Sequence, residues 1–505
     1  RLLSVIRAGE SNNADCADLF VQEIPFFDHL PARRIAYWIS RSFADAFVQL
    51  APLEGNHAFA RQGLASADNF RFVRLAWEVN PSSQFGLGSS IAPCCQWFSF
   101  AKGGEYSPFF QDLHLLVNFA RGGQELIAFP GSVIRNPGFY LKPALTYSER
   151  TASGFSPRAL PAGCIFDSKG PIVAPVDETN KYSLLAFLMS RPAASFLEFL
   201  VAAGDSAVSG TAARQYTQGI VGSIPFPSLT ECEIKSLERN AKEAWSAQAK
   251  RDSFDETGRL FAICRAADVS VGNNPRSIKE LLLYNSELSD ELDLQILQST
   301  WDTEQIVRGA YGFDEETGRW LDKEFGVHPV SLDESVAPIE DFSRLFLLET
   351  DQVVKELIEE AGGGRSITKK CYFANRKIEL LSQYLGVNAR LLYERRRQLK
   401  LYSSSEAREE AFRLISYSVG SAFGRWDIRY ATGEQRRSEL PDPFAALPVC
   451  SPGMLQSDEC LPSEPKDLPA NYPLRISWSG IVVDDENHSD DIVTRTREAI
   501  KLIWN

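Results

Sequence analysis

Hydrophobic and polar positions alternate over short distances between Trp97 and Pro171. Aromatic and β-branched residues come in brief runs, and Gly pairs, Pro and Asn interrupt these runs at intervals of about ten residues. Runs of this length are typical of short strands joined by turns. The pattern therefore predicts a twisted, partly open β-sheet, and we expect the rest of the chain to be organised around it.

Longer hydrophobic periods flank this sheet. Residues 33–50 predict an amphipathic helix, with apolar side chains at helical spacing at Ile35, Trp38, Ile39, Phe43 and Phe47. Residues 70–79 predict a strand. Residues 181–203 predict an apolar helix that bends near Pro192, because proline lacks an N–H and its ring clashes with the preceding turn.

Helical periodicity dominates after residue 230. Thr230 and Glu233 have the spacing of a capping box, in which the hydroxyl and the carboxylate each accept a hydrogen bond from a free N–H group. Further helices are predicted over residues 278–300, 301–311, 341–361, 376–399 and 406–423. Eight prolines between 440 and 475 predict an extended connector. A strand over 476–485 and a final helix over 489–505 are expected to follow.

These elements predict an α+β protein. A mixed or antiparallel β-rich domain with packed helices precedes a mostly α-helical region and a small C-terminal αβ piece. The expected divisions are a junction, the β-rich domain, a helical domain, the proline-rich connector and a strand–helix segment, at residues 1–30, 31–230, 231–435, 436–475 and 476–505.

Charge is distributed unevenly over these divisions. The net charge is −13, yet residues 31–230 hold 16 Lys and Arg against 13 Asp and Glu, while residues 231–505 hold 35 against 48. A mildly basic β-rich domain beside an acidic flank favours nucleic-acid binding, and chance variation along the chain explains the asymmetry equally well.

Other features of the composition narrow the class of protein. The nine cysteines contain no CxxC pair, and the five histidines are scattered, so no zinc-binding spacing exists. We therefore expect reduced thiols in a cytoplasmic protein. No apolar run reaches about 18 residues, which predicts no membrane span. The chain begins at Arg1 and has two methionines, so we expect it to be a fragment without its natural start.

Catalytic motifs are weak. Residues 136–140 (NPGFY) approach the [DNS]PP[YF] loop that holds a flipped adenine, but the second proline is missing, and we interpret them as a turn. Residues 167–169 and 233–235 match the (D/E)xK end of a PD…(D/E)xK nuclease site. In that motif the Pro-Asp pair comes first, whereas the one Pro-Asp pair of this chain, at 441–442, follows both matches. The acidic residues and the histidine over 484–491 are explained more simply by a solvated loop and a helix N-terminus.

Basic side chains in loops are better candidates for binding. Lys and Arg on such loops reach phosphates, and Arg can donate two hydrogen bonds to the O6/N7 edge of guanine. The residues expected to contact DNA are Lys102, Arg121, Lys142, Arg150, Arg158, Lys169, Arg61 and Arg71. A surface charge without function explains each residue alone as well. Later basic clusters, at 395–400 and 425–429, either contact the DNA backbone or form a helix face and a packed turn.

Several strings in the chain resemble a known family. WFSFAKGGEYSPFF, LLVNFARGGQEL and LTYSERTASGFSPRALPAGCIFDSKGP, followed by LLAFLMSRPAASFLEFL and IVGSIPFP, resemble the target-recognition region of large adenine-specific DNA methyltransferases. These are the PglX-type enzymes of BREX phage-defence systems and related single-chain type II restriction–modification enzymes. SYSVGSAFGRWDIRYATG and LPDPFAALPVC resemble a C-terminal block of the longer members.

The resemblance implies a function for the intact protein. It implies transfer of a methyl group from S-adenosylmethionine to adenine N6 in double-stranded DNA, with this chain recognising the target sequence. The cofactor loop and the NPP[YF] motif are expected upstream of residue 1, so this chain alone should be inactive. Other defence-system subunits are possible partners. The alternative is a defence-system scaffold that binds proteins rather than DNA, and a nuclease using Asp167 and Lys169 is a third reading.

Overall fold

The protein has an α+β fold, as the hydrophobic pattern predicts. The computed structural model describes residues 23–86, 95–268, 277–334 and 342–504, apart from 152, 202–213, 349–351, 354, 357–358, 360–376, 402–403, 482 and 487. Residues 1–22 of the expected N-terminal junction lie outside the described residues.

The helices increase in length after residue 230. They are α1 Arg41–Gln49, α2 Leu53–Asn56, α3 Asn69–Phe72, α4 Ala120–Ala128, α5 Lys181–Met189, α6 Arg191–Val201, α7 Gln218–Gly222, α8 Glu231–Asp252, α9 Ile278–Tyr311, α10 Glu315–Phe325, α11 Phe342–Leu347, α12 Lys377–Leu385, α13 Ala389–Leu399, α14 Ser404–Ala422, α15 Arg429–Thr432 and α16 Ile492–Ile503. Short 3₁₀ helices include Ala76–Glu78, Pro137–Phe139 and Arg265–Ala267.

The strands are short and form two four-stranded sheets and a two-stranded ribbon. They are β1 Ala58–Arg61, β2 Val73–Leu75, β3 Trp97–Ala101, β4 Leu115–Asn118, β5 Ala144–Thr146, β6 Arg150–Thr151, β7 Arg158–Leu160, β8 Cys164–Phe166, β9 Ile172–Pro175 and β10 Arg214–Gln215. One sheet is antiparallel in the order β1-β9-β5-β7. The other has the order β2-β4-β3-β8, and its β3–β8 pair is parallel. The ribbon pairs β10 with β6.

The helix expected over residues 33–50 is shorter than predicted. It begins at Arg41, because the Ser40 hydroxyl accepts a hydrogen bond from the Phe43 amide and caps the first turn. Upstream, the Arg34 guanidinium donates to the Phe199 carbonyl at 2.7 Å, and Ile35 is exposed to solvent. The apolar spacing before residue 40 is therefore not a helix face.

Two predicted strands are also wrong in part or in whole. Over residues 70–79 only β2 is extended, because Asp68 caps the short helix α3 and the Glu78 carboxylate accepts a hydrogen bond from the Leu75 amide. The described residues of 476–485 form no strand. The Ser477 amide donates instead to the Ala422 carbonyl, and the chain then turns at Gly480.

Several helical predictions after residue 230 hold. Of the helix expected over 341–361, the structure describes α11, while residues 341, 349–351, 354, 357–358 and 360–361 lie outside the described residues. The capping box of Thr230 and Glu233 starts α8, as predicted. The two helices expected over 278–311 are the single helix α9, whereas the helix expected over 376–399 is two helices, α12 and α13. Gly386 adopts a left-handed backbone at this break, and Asn388 caps α13. The bend near Pro192 is confirmed, since the helical segments on either side of Ser190 meet at 67°.

The largest hydrophobic core draws side chains from both sides of residue 230. Phe43 stacks on Phe196 at a centroid distance of 4.3 Å and packs against Trp320 at 5.1 Å. The same cluster includes Trp245 of α8 and Phe444 of the proline-rich segment. A second cluster lies between the two four-stranded sheets, with Phe100 and Phe166 among its members. No single described helix is long and apolar enough to cross a membrane. The bent pair Glu178–Met189 and Arg191–Val201 is together long and apolar enough by length and composition alone.

Candidate nucleic-acid interface

Three loops meet at one edge of the mixed sheet. Strands β3 and β8 are parallel, so the loops that follow them leave at the same edge. We call residues 102–104, 148–150 and 167–170 the three-loop edge. The Asp167 amide donates to the Ala101 carbonyl at 2.8 Å, and the Glu149 amide donates to the Lys169 carbonyl at 3.0 Å. Backbone hydrogen bonds therefore fix the loops against one another.

Glycines allow this close approach. Gly103 has a φ of +75°, and a Cβ atom there would lie 2.8 Å from the Lys169 carbonyl oxygen. A Cβ atom on Gly170 would lie 2.5 Å from the Gly103 nitrogen. Side chains at either position would push the loops apart, so the KGG and DSKG strings have a structural reason.

Cations project from the three-loop edge, and carboxylates are turned inward. Lys169 Nζ lies 2.8 Å from Glu149 Oε2, with the lysine side chain 64% exposed and the glutamate 5%. Lys102 Nζ lies 3.8 Å from Asp167 Oδ2 and donates to Asn69. Arg150 is exposed. The loops thus present Arg150 and Lys169 to solvent, with Lys102 partly buried beside them, from a backbone held by buried acids.

Arg158 supports this edge from below. It is 1% exposed, so its side chain lies in the interior and not on a surface that a duplex could contact. Nη2 donates to the Ser148 hydroxyl at 3.2 Å, while Nε is buried without a hydrogen-bond partner. Burial lowers its pKa to about 10. In this arrangement Arg158 braces the loop that carries Arg150.

The other four candidates lie outside the three loops, although Gln62, next to Arg61, donates to the Ser168 carbonyl, and Asn69, two residues before Arg71, accepts from Lys102. Arg61 is 2.6 Å from Glu54, and Arg71 is 2.6 Å from Glu125 of α4. Arg121, also in α4, follows the end of β4 that pairs with the start of β3, so it lies at the other end of the mixed sheet from the three loops. It is exposed and has a left-handed backbone. Lys142 is exposed beside the start of β8, because the Leu141 amide donates to the Cys164 carbonyl. The structure therefore brings Lys102, Arg150, Arg158 and Lys169 together, without these four.

One cation beside the edge was missed from the sequence. Arg214 lies on β10, whose pairing with β6 places Gln215 opposite Arg150. Its Nε is 2.6 Å from Glu198 Oε2. Strand β10 has only two residues, and it pairs with residues about 60 positions earlier in the chain. Periodicity within a short window cannot supply that register.

In the described part of the chain, residues 136–140 form a turn and Asp491 caps a helix. Residues 137–139 form a 3₁₀ turn, and Asn136 Nδ2 donates to the Gln62 carbonyl at 2.9 Å, as the interpretation as a turn requires. Asp491 caps α16 by accepting from the Thr494 amide. Among the described residues, no group of three or more His, Cys, Asp or Glu side chains is placed to hold a metal ion.

The later basic clusters are paired with acidic residues in part, and Arg395 and Lys400 of the first cluster are exposed. Arg396 of α13 is bonded to Asp290 of α9. Arg429 Nη2 lies 2.7 Å from Asp427 Oδ2, beside the buried Trp426. The second cluster is thus the packed salt-bridge turn that the sequence left as one of two readings.

The fold and the site together define an α+β protein with a basic edge on a small mixed sheet. No family model matches the chain, but two known proteins are similar to it in sequence. It is 30% identical over 483 residues to the adenine-specific methyltransferase BrxX of Escherichia coli O9:H4 (strain HS), covering 95% of this chain and 31% of that protein. It is 23% identical over 439 residues to the adenine-specific methyltransferase PglX of Lacticaseibacillus casei (strain Zhang), covering 83% of this chain and 34% of that protein.

The resemblance to PglX-type adenine-specific methyltransferases is confirmed by these matches. The chain spans about a third of the length of the curated relatives it matches, so it corresponds to a partial region of such proteins.

Proposed function

We propose that this chain is the DNA-recognition portion of an S-adenosylmethionine-dependent adenine-N6 DNA methyltransferase that acts in restriction–modification or phage defence. Methyl transfer and cofactor binding would belong to a part of the protein outside this sequence. The relatives are adenine-specific methyltransferases by name and are about three times as long as the chain. The observation that carries the proposal is the three-loop edge, which assembles Lys102, Arg150 and Lys169 from distant positions.

The chemistry of this edge suits a duplex. Lysine and arginine on glycine-containing loops reach phosphates, and the forked guanidinium of Arg150 can bind two acceptors on a guanine edge. Buried Glu149 and Asp167 orient the loops and leave the cationic groups at the surface. A protein-binding scaffold gives no reason for Lys102, Arg150 and Lys169 to converge on one edge. That convergence favours the DNA reading over the scaffold alternative.

A charge reversal at this edge tests the proposal. We expect Lys169→Glu in the full 505-residue chain to weaken duplex binding about tenfold near 100 mM salt, because it removes a phosphate contact and adds repulsion. The slope of log affinity against log salt should fall by about one. Fluorescence anisotropy with a labelled duplex of mixed sequence measures both quantities.

Lys466→Glu is the matched control. Lys466 is similarly exposed and similarly paired, with Nζ 3.0 Å from Glu464 Oε2, but it lies in the proline-rich segment. The control should bind DNA as the wild type does. Absence of salt-dependent duplex binding by the wild-type chain, or equal losses in both variants, would count against the proposal.

Sequence choice requires the intact protein. Exchanging residues 97–171 for those of a relative should change the DNA motif in which N6-methyladenine is detected in host DNA. An unchanged motif would place sequence recognition elsewhere in the protein.

A further inference from the structure

A cleft of about 620 Å³ lies between the mixed sheet and the helices that follow residue 230. Its sheet side is formed by the end of β2, the turn after it and the segment before β4. Its helical side is formed by the end of α8 and the residues after it, Arg265 and α14. This volume falls within the range of sites that bind small organic ligands. Its lining is unusual in combining an exposed tryptophan with three arginines.

The sheet side carries an aromatic platform. Trp77 is 51% exposed, and its ring lies nearly parallel to that of His114, at 26° and a centroid distance of 6.4 Å. The Ala76 amide donates to the His114 carbonyl at 2.8 Å, which holds the two rings on adjacent segments. A large, ordered and exposed indole is the side chain on which nucleobases stack in proteins that bind single nucleotides or unpaired strands.

The helical side carries an incompletely satisfied cation. Arg265 Nε is buried without a hydrogen-bond partner, and Cζ lies 4.8 Å from the centroid of the Phe254 ring. Arg251 and Arg413, by contrast, are paired with carboxylates, at 3.1 Å from Asp293 and 2.6 Å from Glu409. Burial and these two neighbouring cations lower the pKa of Arg265. Nε is shielded from solvent, so an anionic oxygen entering the cleft would approach the terminal nitrogens of Arg265, which lines the cleft.

The base of the cleft offers a polar group in a fixed position. Asp112 Oδ1 accepts a hydrogen bond from the Arg259 amide at 2.7 Å, and Oδ2 lies 3.9 Å from His114 Nδ1. Burial raises the pKa of Asp112. A carboxyl held beside an aromatic platform is suited to hydrogen-bonding the edge of a stacked base.

We propose that this cleft binds a nucleotide, with its base stacked on Trp77 and its phosphate on Arg265. The nucleotide is either an unpaired residue of DNA or a free nucleotide, since both present the same base and phosphate. The lining holds three aspartates as well as three arginines, but no described group of three or more His, Cys, Asp or Glu side chains is placed to hold a metal ion. The charged lining disfavours a lipid chain. The cleft shares no lining residue with the three-loop edge, and the proposal does not depend on that edge.

Isothermal titration calorimetry of the full chain with deoxyadenosine monophosphate, deoxyadenosine and inorganic phosphate tests the ligand class. Trp77→Ala should weaken binding of the nucleotide and the nucleoside at least about fivefold, the usual effect of losing one stacking side chain. Arg265→Gln should weaken only the nucleotide and phosphate. Trp38→Ala is the control, because Trp38 is 46% exposed but does not line the cleft.

Duplexes with and without one bulged adenosine separate the two sources. Tighter binding of the bulged duplex that is lost in Trp77→Ala indicates an unpaired DNA nucleotide, and binding of the free nucleotide without such a preference indicates a free ligand. Lys169→Glu should weaken binding of both duplexes alike, because it tests the three-loop edge and not the cleft. Failure of the DNA-recognition proposal is therefore distinguishable from failure of the nucleotide proposal. The proposal is overturned if neither the nucleotide nor the bulge binds, or if Trp77→Ala leaves binding unchanged. Trp77→Ala, at an exposed position, keeps the proposal testable should Arg265→Gln unfold the protein.

Discussion

At the scale of single residues, the most deeply buried charge lies at Arg191. Its side chain is fully buried, and the guanidinium makes two parallel bonds to Glu304, with Nε and Nη2 2.5 and 2.6 Å from the carboxylate oxygens. Nη2 is also 3.2 Å from Asp322. These contacts join α6, α9 and α10. Both partners have lost their hydration, so each depends on the other for compensation.

Glu304→Gln should therefore destabilise the protein strongly. We expect a loss of about 3–5 kcal/mol in the free energy of unfolding, because the substitution leaves the buried Arg191 charge undercompensated. Chemical denaturation measures the loss. Glu231→Gln is the control: Glu231 lies 2.7 Å from Lys235, and both side chains are more than two-thirds exposed. Its loss should be below about 1 kcal/mol, and similar losses in both variants would contradict the argument.

The difference between buried and exposed charges also explains how far the candidate site could be predicted from residue types. Gly103, Asp167 and Lys169 were recognisable as parts of turns that carry cations, and the structure gives the glycine a steric reason. Arg158 was placed among the DNA contacts because it lies beside a loop that contains Gly, Ser and Pro, from which a basic side chain can reach phosphate. Its burial depends on Ser148, ten positions away and on a different segment. No property of the residue itself distinguishes it from Arg150.

At the scale of elements, α9 and α13 are joined through a buried carboxyl. Asp290 of α9 is 1% exposed and bonded to Arg396 of α13. Burial raises its pKa from 3.8 to about 7, against the opposing effect of Arg396, and nearby Asp293 raises it further. The folded protein therefore holds a proton between these pH values that the unfolded chain has released. This group makes the free energy of unfolding fall as pH rises from about 4 to about 7.

Asp290→Asn should remove that part of the pH dependence. Asparagine resembles the protonated acid, so the variant should match the wild type below about pH 4 and be more stable than it near pH 8. Denaturation curves at both pH values measure the difference. Asp302→Asn, at a partly exposed position of the same helix, controls for the loss of a carboxylate. A variant that is less stable than the wild type near pH 8 would show that the ion pair outweighs the cost of burial.

Local signals predicted elements best where the partners are close in the chain. The capping box of α8 involves residues three positions apart, and it was predicted correctly. The helix over 33–50 failed because its first half is held by Arg34 against Phe199, a contact that no local pattern contains. The strand over 476–485 failed for the same reason, since Ser477 is bonded to the end of α14.

At the scale of the whole molecule, aromatic packing crosses the expected division at residue 230. Phe110 packs against Trp245 at 5.8 Å, and Tyr182 packs against Phe444 at 4.9 Å. With the contact between Phe43 and Trp320, these pairs belong to the largest core. The division into a β-rich domain and a helical domain stays a prediction about sequence organisation, but the two parts share their interior.

Residues 31–230 should therefore not fold when produced alone. Separation would expose the apolar faces of α5 and α6 and would leave Arg191 buried or half-buried without Glu304, costs that a small domain cannot offset. We expect this fragment to aggregate, or to bind a hydrophobic dye and unfold without cooperativity. Co-expression with residues 231–505 should restore a soluble complex, because the missing half of the core is then supplied. A monomeric 31–230 fragment that unfolds cooperatively would show instead that the β-rich domain is independent and that its packing against α8 and α9 is a docked interface.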